Sequence, residues 1–244
     1  MIRAGTLQVI GVGPGDPELM TLKAARVITS SDVIAYFAKR GRRGHARSIA
    51  AAHIRDTTEE LRLEYPFTTE FEVTDERYSA GMAGFYAECT ERIASHLEDG
   101  RDVGLLCEGD PLFYGSPLAL LERLGTYRSV IIPGVSGMSG CWSRAGTPMT
   151  RGDDVLTILP GTLDEDSLAI RLTGGDATVI MKVGGNLPKI RAALRRTARE
   201  DIAVYVERGT MSDERILPLA ATEEFADPAP YFALVLVPGR EPRR

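Results

Sequence analysis

The chain has 244 residues, of which 43% are apolar, so it is long enough to bury a large core in one or two domains. Its formal net charge of −5 at pH 7 argues against a general nucleic-acid binder, which usually carries a basic face. The 3 cysteines are odd in number and widely spaced, which favours neither a disulfide framework nor a zinc site and predicts a reducing cytoplasm. Because no apolar run approaches the roughly 20 residues of a membrane-spanning helix, we also expect no membrane association.

The chain begins with an apolar strand, residues 7–11, that leads into a turn rich in glycine and proline. This turn departs from the Rossmann dinucleotide fingerprint, because Asp16 stands where a third glycine must pack against the strand. Pro14 also lacks a backbone N–H that would donate to a pyrophosphate. A nicotinamide-dependent dehydrogenase is therefore disfavoured, and the loop is predicted to take another ligand.

The spacing of apolar residues predicts the next helices and strands. A helix is predicted over 21–29 and a strand over 33–36, which together make a βαβ start. The basic run 39–47 is broken by glycines and predicts a mobile surface loop. A long amphipathic helix is predicted over 75–99, and Gly100 marks its end.

Two further strands open into loops. A buried strand, 103–107, leads into the sequence EGDP at 108–111 and then into a helix capped by Ser116. A second strand, 130–132, leads into PGVS at 133–136 and a short helix. Ligands of open α/β sheets bind outside the carboxyl ends of the strands, so we expect the three loops to converge on one site.

A stretch rich in glycine and proline, 147–152, is typical of a linker and divides the chain into domains 1–147 and 152–244. The predicted strands of the second domain are 155–159, 178–182, 202–207 and 231–237, and its predicted helices are 164–172 and 187–199. This alternation indicates a second α/β layer, in which the late strands, near 215–217 and at 231–237, are expected to pair antiparallel.

The motifs of the chain, taken in order, resemble those of the tetrapyrrole (corrin/porphyrin) methylases. They are VGPGDP at 12–17, EGDP at 108–111, PGVS at 133–136, MKVG at 181–184, YVERGTM at 205–211 and ALVLV at 233–237. The resemblance implies two α/β domains with a ligand cleft between them, a homodimer, and S-adenosylmethionine as methyl donor with S-adenosylhomocysteine as product. Within the family, the motifs most resemble members that methylate C20 of precorrin-2 in cobalamin biosynthesis.

The same resemblance implies which residues contact the methyl donor. They are Pro14, Glu108, Gly109, Asp110, Phe113, Ser136 and Gly137 in the first domain, and Lys182, Gly209 and Ala233 in the second. A carboxylate such as Asp110 suits the cationic end of the donor, and backbone N–H groups in glycine turns suit its carboxylate. Tyr114, Glu108 and Asp16 are the predicted catalytic groups, which guide the proton that leaves C20.

The implied substrate carries several carboxylates, and the basic run supplies cations in an otherwise acidic chain. We expect Arg40, Arg42, Arg43 and Arg47 to form a carboxylate clamp, because arginine binds carboxylates bidentately. A solvated loop without such a role is the alternative. Three other functions stay open: methylation of the cobalt-bearing analogue of precorrin-2, another tetrapyrrole methylase, and a binding module without turnover. No metal ligands are predicted, because the three histidines are scattered.

Overall fold

The computed structural model describes residues 4–67, 76–222, 225 and 228–239. It divides into two compact units, Met1–Gly137 and Met138–Arg244. Each unit contains helices and a five-stranded sheet, which confirms the predicted α/β class with two domains. The division falls ahead of the predicted linker at 147–152, because Cys141 packs among apolar side chains of the second sheet.

The described part of the first unit has five strands and four α-helices. They are β1 Leu7–Gly11, α1 Leu22–Ser30, β2 Val33–Lys39, α2 His45–Ile49, β3 Glu59–Tyr65, α3 Glu76–Glu98, β4 Val103–Cys107, α4 Leu118–Arg123 and β5 Ser129–Ile132. The strands are parallel in the order β3-β2-β4-β1-β5. Ile93 of α3 and Leu105 of β4 belong to one apolar cluster, and Ile28 of α1 and Ile10 of β1 belong to another. Burial on both faces explains why these strands are continuous apolar runs.

Local contacts set the ends of the first unit's helices. The hydroxyl oxygen of Thr21 accepts from the backbone N–H of Ala24 at 3.1 Å, which starts α1. Helix α3 confirms the predicted long helix, although the predicted first residue, Asp75, lies outside the described residues. The predicted cap of α4 is wrong, because Pro117 occupies the cap position and Ser116 forms no capping hydrogen bond.

The second unit begins with a helix and continues with a mixed sheet. Its elements are α5 Gly137–Arg144, β6 Leu156–Pro160, α6 Glu165–Gly174, β7 Ala177–Met181, α7 Leu187–Arg196, β8 Val204–Glu207, β9 Arg215–Pro218 and β10 Ala233–Val237. The sheet order is β6-β7-β10-β8-β9, and among the described strands of this second sheet only β6 and β7 are paired in parallel. The antiparallel pairing predicted for the late strands is confirmed.

A buried arginine holds the interior of the second unit together. Arg199 is 1% exposed, and its guanidinium donates to the carbonyl oxygens of Leu172, Gly175, Asp176 and Pro238. These carbonyls lie at the end of α6, before β7 and after β10. One side chain therefore satisfies backbone acceptors that three elements leave at their ends. No described helix is long and apolar enough to span a membrane.

Candidate functional site

The structure brings three loops together at the carboxyl edge of the first sheet. Strand β1 lies between β4 and β5, so the loops that follow these strands are neighbours. The backbone N–H of Val12 donates to the carbonyl of Cys107 at 2.9 Å, and that of Gly109 donates to the carbonyl of Gly13 at 2.8 Å. The first two loops are thus joined backbone to backbone.

Three glycines make this close approach possible. A Cβ atom on Gly134 would overlap the carbonyl oxygen of Gly109 and lie 2.9 Å from backbone atoms of Gly11. A Cβ atom on Gly11 would lie 2.6 Å from both the Gly109 carbonyl oxygen and the Gly134 nitrogen. Gly109 also has a left-handed φ of 65°. Our sequence analysis assigned no role to Gly11 or Gly134, although a glycine that ends an apolar strand is a signal of close backbone approach.

The carboxylate of Asp110 joins the second loop to the third. Its Oδ1 accepts from the backbone N–H of Leu112 at 2.9 Å, and its Oδ2 accepts from that of Gly134 at 3.2 Å. A carboxylate has about four acceptor positions, so each oxygen can still accept from a ligand. Asp110 is therefore a carboxylate held in place by two backbone N–H groups, and its contact with the cationic end of a methyl donor stays a prediction.

An aromatic pair follows Asp110 in the same loop. The ring of Tyr114 meets that of Phe113 edge to face, with centroids 5.0 Å apart. Tyr114 has a left-handed φ of 54° and its side chain is 51% exposed. Gly115 must be glycine here, because a Cβ atom would overlap the carbonyl oxygen of Pro111. The loop thus holds a polar aromatic residue at the surface in a strained conformation, which is common at functional sites.

The third loop ends in residues with room around them. Ser136 and Gly137 are partly exposed after β5, and a Cβ atom on Gly137 would meet nothing within 4 Å. Both residues lie at the carboxyl edge that also carries Asp110. This space is compatible with the predicted donor contact, which stays a prediction.

The two predicted catalytic carboxylates accept hydrogen bonds from backbone N–H groups. The Asp16 carboxylate accepts from the backbone N–H of Glu18 at 2.9 Å and caps a short 3-10 turn, while the neighbouring Pro14 is buried. The Glu108 carboxylate accepts from the backbone N–H of Ala46 at 3.0 Å. Both side chains therefore fix backbone, and their catalytic roles stay predictions.

The four arginines of the basic run differ in how exposed they are. Arg40, Arg42 and Arg43 are exposed in the turn between β2 and α2. Arg47 is 13% exposed and forms two hydrogen bonds to Glu60, at 2.6 and 3.0 Å. Arg47 is thus part of a structural ion pair, and no pattern in the sequence predicts its partner on β3.

The mobile-loop prediction for this run is wrong at both ends. Lys39 is the last residue of β2, and the run enters α2 at His45. The ion pair also perturbs its members: hydrogen bonds from Arg47 hold the pKa of Glu60 below its usual range. Burial, followed by the hydrogen bond to Glu60, raises the pKa of Tyr36.

The predicted residues of the second unit lie at one edge of its own sheet. Lys182 follows β7, Gly209 follows β8, and Ala233 begins the antiparallel strand β10 beside the end of β8. Lys182 has a left-handed φ of 56°, and the two neighbours of Gly209, Arg208 and Thr210, have φ values of 49° and 73°. Residues other than glycine rarely adopt such left-handed backbone conformations.

A buried acid that our sequence analysis missed lies under the same edge. Glu207 is 4% exposed, and its Oε2 accepts from the hydroxyl of Tyr205 at 2.7 Å. Burial, followed by that hydrogen bond, raises the pKa of Tyr205. The guanidinium groups of Arg208 and Arg215 lie 3.4 and 3.5 Å from the Glu207 carboxylate. The paired charges offset the cost of burying this carboxylate.

The described cysteines are buried, which agrees with their prediction as core residues. Burial raises the pKa of Cys107 and Cys141 to about 12 in each case, so neither thiol is a ready nucleophile. A Cβ atom on Gly209 would lie 2.6 Å from the Cys141 sulfur, which places the turn after β8 directly on α5. Among the described residues, no group of three or more histidine, cysteine, aspartate or glutamate side chains is arranged to hold a metal ion.

Residues 6–223 match a family model described as Tetrapyrrole (Corrin/Porphyrin) Methylases. Over 243 residues, the chain is 51% identical to a precorrin-2 C(20)-methyltransferase of Sinorhizobium sp, with 99% of this chain and 98% of the relative covered. It is 27% identical to a cobalt-precorrin-2 C(20)-methyltransferase of Salmonella typhimurium, with 96% of each chain covered. A Thermus thermophilus uroporphyrin-III C-methyltransferase, solved with S-adenosylhomocysteine, has the same fold: its TM-score is 0.64 at 21% identity, with 95% of this chain and 96% of that chain covered.

Proposed function

The chain belongs to the tetrapyrrole (corrin/porphyrin) methylases, and from that premise we propose that it transfers a methyl group from S-adenosylmethionine to C20 of precorrin-2. The product of this reaction is precorrin-3A, an intermediate of cobalamin biosynthesis. The observation that carries the proposal is the 51% identity over nearly the whole of both chains. The motifs that support the family lie where the structure places the three loops and the edge of the second sheet.

The three loops of the first unit carry the residues that we propose bind the donor. Asp110 faces the cationic end, the glycine turns offer backbone N–H groups, and Phe113, Ser136 and Gly137 complete the set. When bound, S-adenosylmethionine supplies an electrophilic methyl group. The protein's task is then to align the two reactants and to exclude water, since methyl transfer is an in-line displacement. The assignment of Lys182, Gly209 and Ala233 to the adenine stays a prediction from the resemblance.

The acceptor is proposed to bind through its carboxylates and to lose one proton from C20. Arg40, Arg42 and Arg43 are exposed cations on the edge that carries the donor loops, which suits a carboxylate-rich macrocycle. Tyr114 is the predicted group for guiding the proton, because its exposed phenol follows Asp110 in the same loop. Arg47 is left out of the proposed set because its guanidinium pairs with Glu60, and its predicted contact with the substrate stays a prediction.

The main rival uses the same chemistry on the cobalt-bearing substrate. The Salmonella relative carries that name, but its identity to this chain is 27% against 51% for the relative named for precorrin-2. Parallel incubations with metal-free and cobalt-loaded substrate separate the two. We expect the metal-free substrate to be consumed at least tenfold faster, and a reversed order would favour the rival.

A direct assay tests the proposal. The enzyme is incubated with S-adenosylmethionine and precorrin-2, and the tetrapyrrole is analysed by mass spectrometry. A gain of one methyl mass, together with S-adenosylhomocysteine, is expected. Binding of both ligands without any gain would instead support a binding module. A homodimer and a cytoplasmic location are also proposed, and light scattering of the purified protein tests the dimer.

A further inference from the structure

The basic turn between β2 and α2 is anchored to the loop that follows β4. Glu108 lies two positions before Asp110, and its Oε1 accepts from the backbone N–H of Ala46 in the first turn of α2. The cap residue of α2, Gly44, has no side chain to serve as acceptor. Glu108 therefore supplies, from a distant part of the chain, the acceptor that a helix start requires.

Other contacts hold the remainder of this turn. The backbone N–H of Arg42 donates to the carbonyl of Lys39 at 2.9 Å, which closes the turn. Gly44 packs directly on β2, because a Cβ atom there would overlap the carbonyl oxygen of Phe37. Arg47 then pairs with Glu60 on β3. The turn's backbone is held at 42, 44 and 46, while the side chains of 40, 42 and 43 are exposed.

We propose that Glu108 is a positioning residue for the tetrapyrrole: it holds the basic turn beside the donor loop, so that Arg40, Arg42 and Arg43 meet the substrate's carboxylates in one arrangement. This inference rests on the proposed function. It gives Glu108 a role through Ala46, in place of the direct contacts with donor or proton that the sequence predicts. A cation carried by a backbone that is already held loses less conformational freedom when it binds, which is the physical gain from the anchor.

Three substitutions at position 108 test the anchor. Glu108→Gln keeps an acceptor oxygen at the same reach, Glu108→Asp keeps the charge but shortens the side chain, and Glu108→Ala removes both. Glu91→Ala, on the exposed face of α3, is the matched control. We measure amide hydrogen exchange at Ala46, and kcat and KM for precorrin-2 and for S-adenosylmethionine.

The anchoring role of Glu108 predicts different effects on the KM values of the two substrates. In Glu108→Ala and Glu108→Asp, exchange at Ala46 accelerates about tenfold and KM for precorrin-2 rises about five- to tenfold, since the hydrogen bond to the backbone N–H of Ala46 is lost. The KM for the donor stays within about twofold, and Glu108→Gln restores Ala46 protection and KM for precorrin-2.

Each contrary result has a distinct meaning. Loss of kcat in Glu108→Gln with normal Ala46 exchange would assign the proton to Glu108 and overturn the inference. An equal rise in KM for the donor would make Glu108 a donor ligand, and fast exchange with unchanged KM values would leave only a structural cap. If the unaltered enzyme does not methylate precorrin-2, the proposed function fails, whereas unchanged Ala46 exchange in Glu108→Ala defeats the anchor alone.

Discussion

The carboxyl edge of the first sheet and the edge of the second sheet that carries Lys182 are shaped by different means. In the first, Gly11 and Gly134 bring backbones into contact that any side chain would separate. In the second, Lys182, Arg208 and Thr210 hold left-handed conformations, which cost non-glycine residues about 1 kcal/mol or more each. The first edge is therefore set mainly by close backbone packing, with Tyr114 as its one left-handed non-glycine residue among those that the structure describes. The second is set by surrounding structure that holds several strained turns.

The largest effect is expected from filling the space at the first edge. Gly134→Ala forces the loops after β4 and β5 apart and should lower the free energy of unfolding by about 3 kcal/mol. Gly84→Ala is the control, because its Cβ atom meets nothing and alanine favours helix α3, with a gain of about 0.5–1 kcal/mol. Urea titration of both variants checks the signs, and an unchanged midpoint for Gly134→Ala would contradict the packing account.

The next effect concerns the charge that joins two loops of the first edge. Asp110→Asn removes the negative charge and leaves one acceptor oxygen for two backbone N–H groups. Affinity for S-adenosylhomocysteine should fall by about tenfold to a hundredfold, as expected for a lost charged hydrogen bond. Calorimetric titration measures this, with the exposed Asp99→Asn as control. Equal affinities of the two variants would remove Asp110 from the donor site.

At the second edge, substitution by glycine should stabilise the fold rather than destabilise it. Lys182→Gly relieves a left-handed lysine and should raise the free energy of unfolding by about 1 kcal/mol. Lys189→Gly is the matched control inside helix α7, where the same change should cost about 1 kcal/mol. Thermal unfolding reports both. Destabilisation by both variants would mean that the lysine turn is not strained, and the contrast between the edges would fail.

The smallest effect is a pH dependence that arises from an ion pair of the first unit. Because Arg47 lowers the folded-state pKa of Glu60 below its unfolded value near 4.5, this pair stabilises the protein above that pH. The contribution, about 0.5–1 kcal/mol in a pair still accessible to water, is lost as the pH falls through the folded pKa. Denaturant midpoints of the unaltered protein and Glu60→Gln should therefore converge below pH 4.5, while Glu91→Gln controls for a surface carboxylate. A constant gap at all pH values would contradict the coupling.

The two edges also differ in how far the sequence reveals them. Glycine and proline directly after apolar strands predict the loops that carry Asp110 and Ser136, because few other residues tolerate such turns. The alternating strands and helices likewise predict both α/β units. No pattern predicts that Lys182 and Arg208 turn left-handed, since tertiary contacts decide those conformations. Long-range pairs such as Arg47 with Glu60, and Glu108 with Ala46, depend on strand order. The spacing of residues along the sequence therefore does not predict them.

The central claim is that the carboxyl edge of the first sheet serves methyl transfer to C20 of precorrin-2. One measurement tests this claim most directly. The enzyme is supplied with S-adenosylmethionine carrying a ¹³C-labelled methyl group, and the tetrapyrrole product is examined by NMR. The account predicts a single new labelled methyl group attached to C20. A label at any other carbon, or no label in the tetrapyrrole, would contradict it.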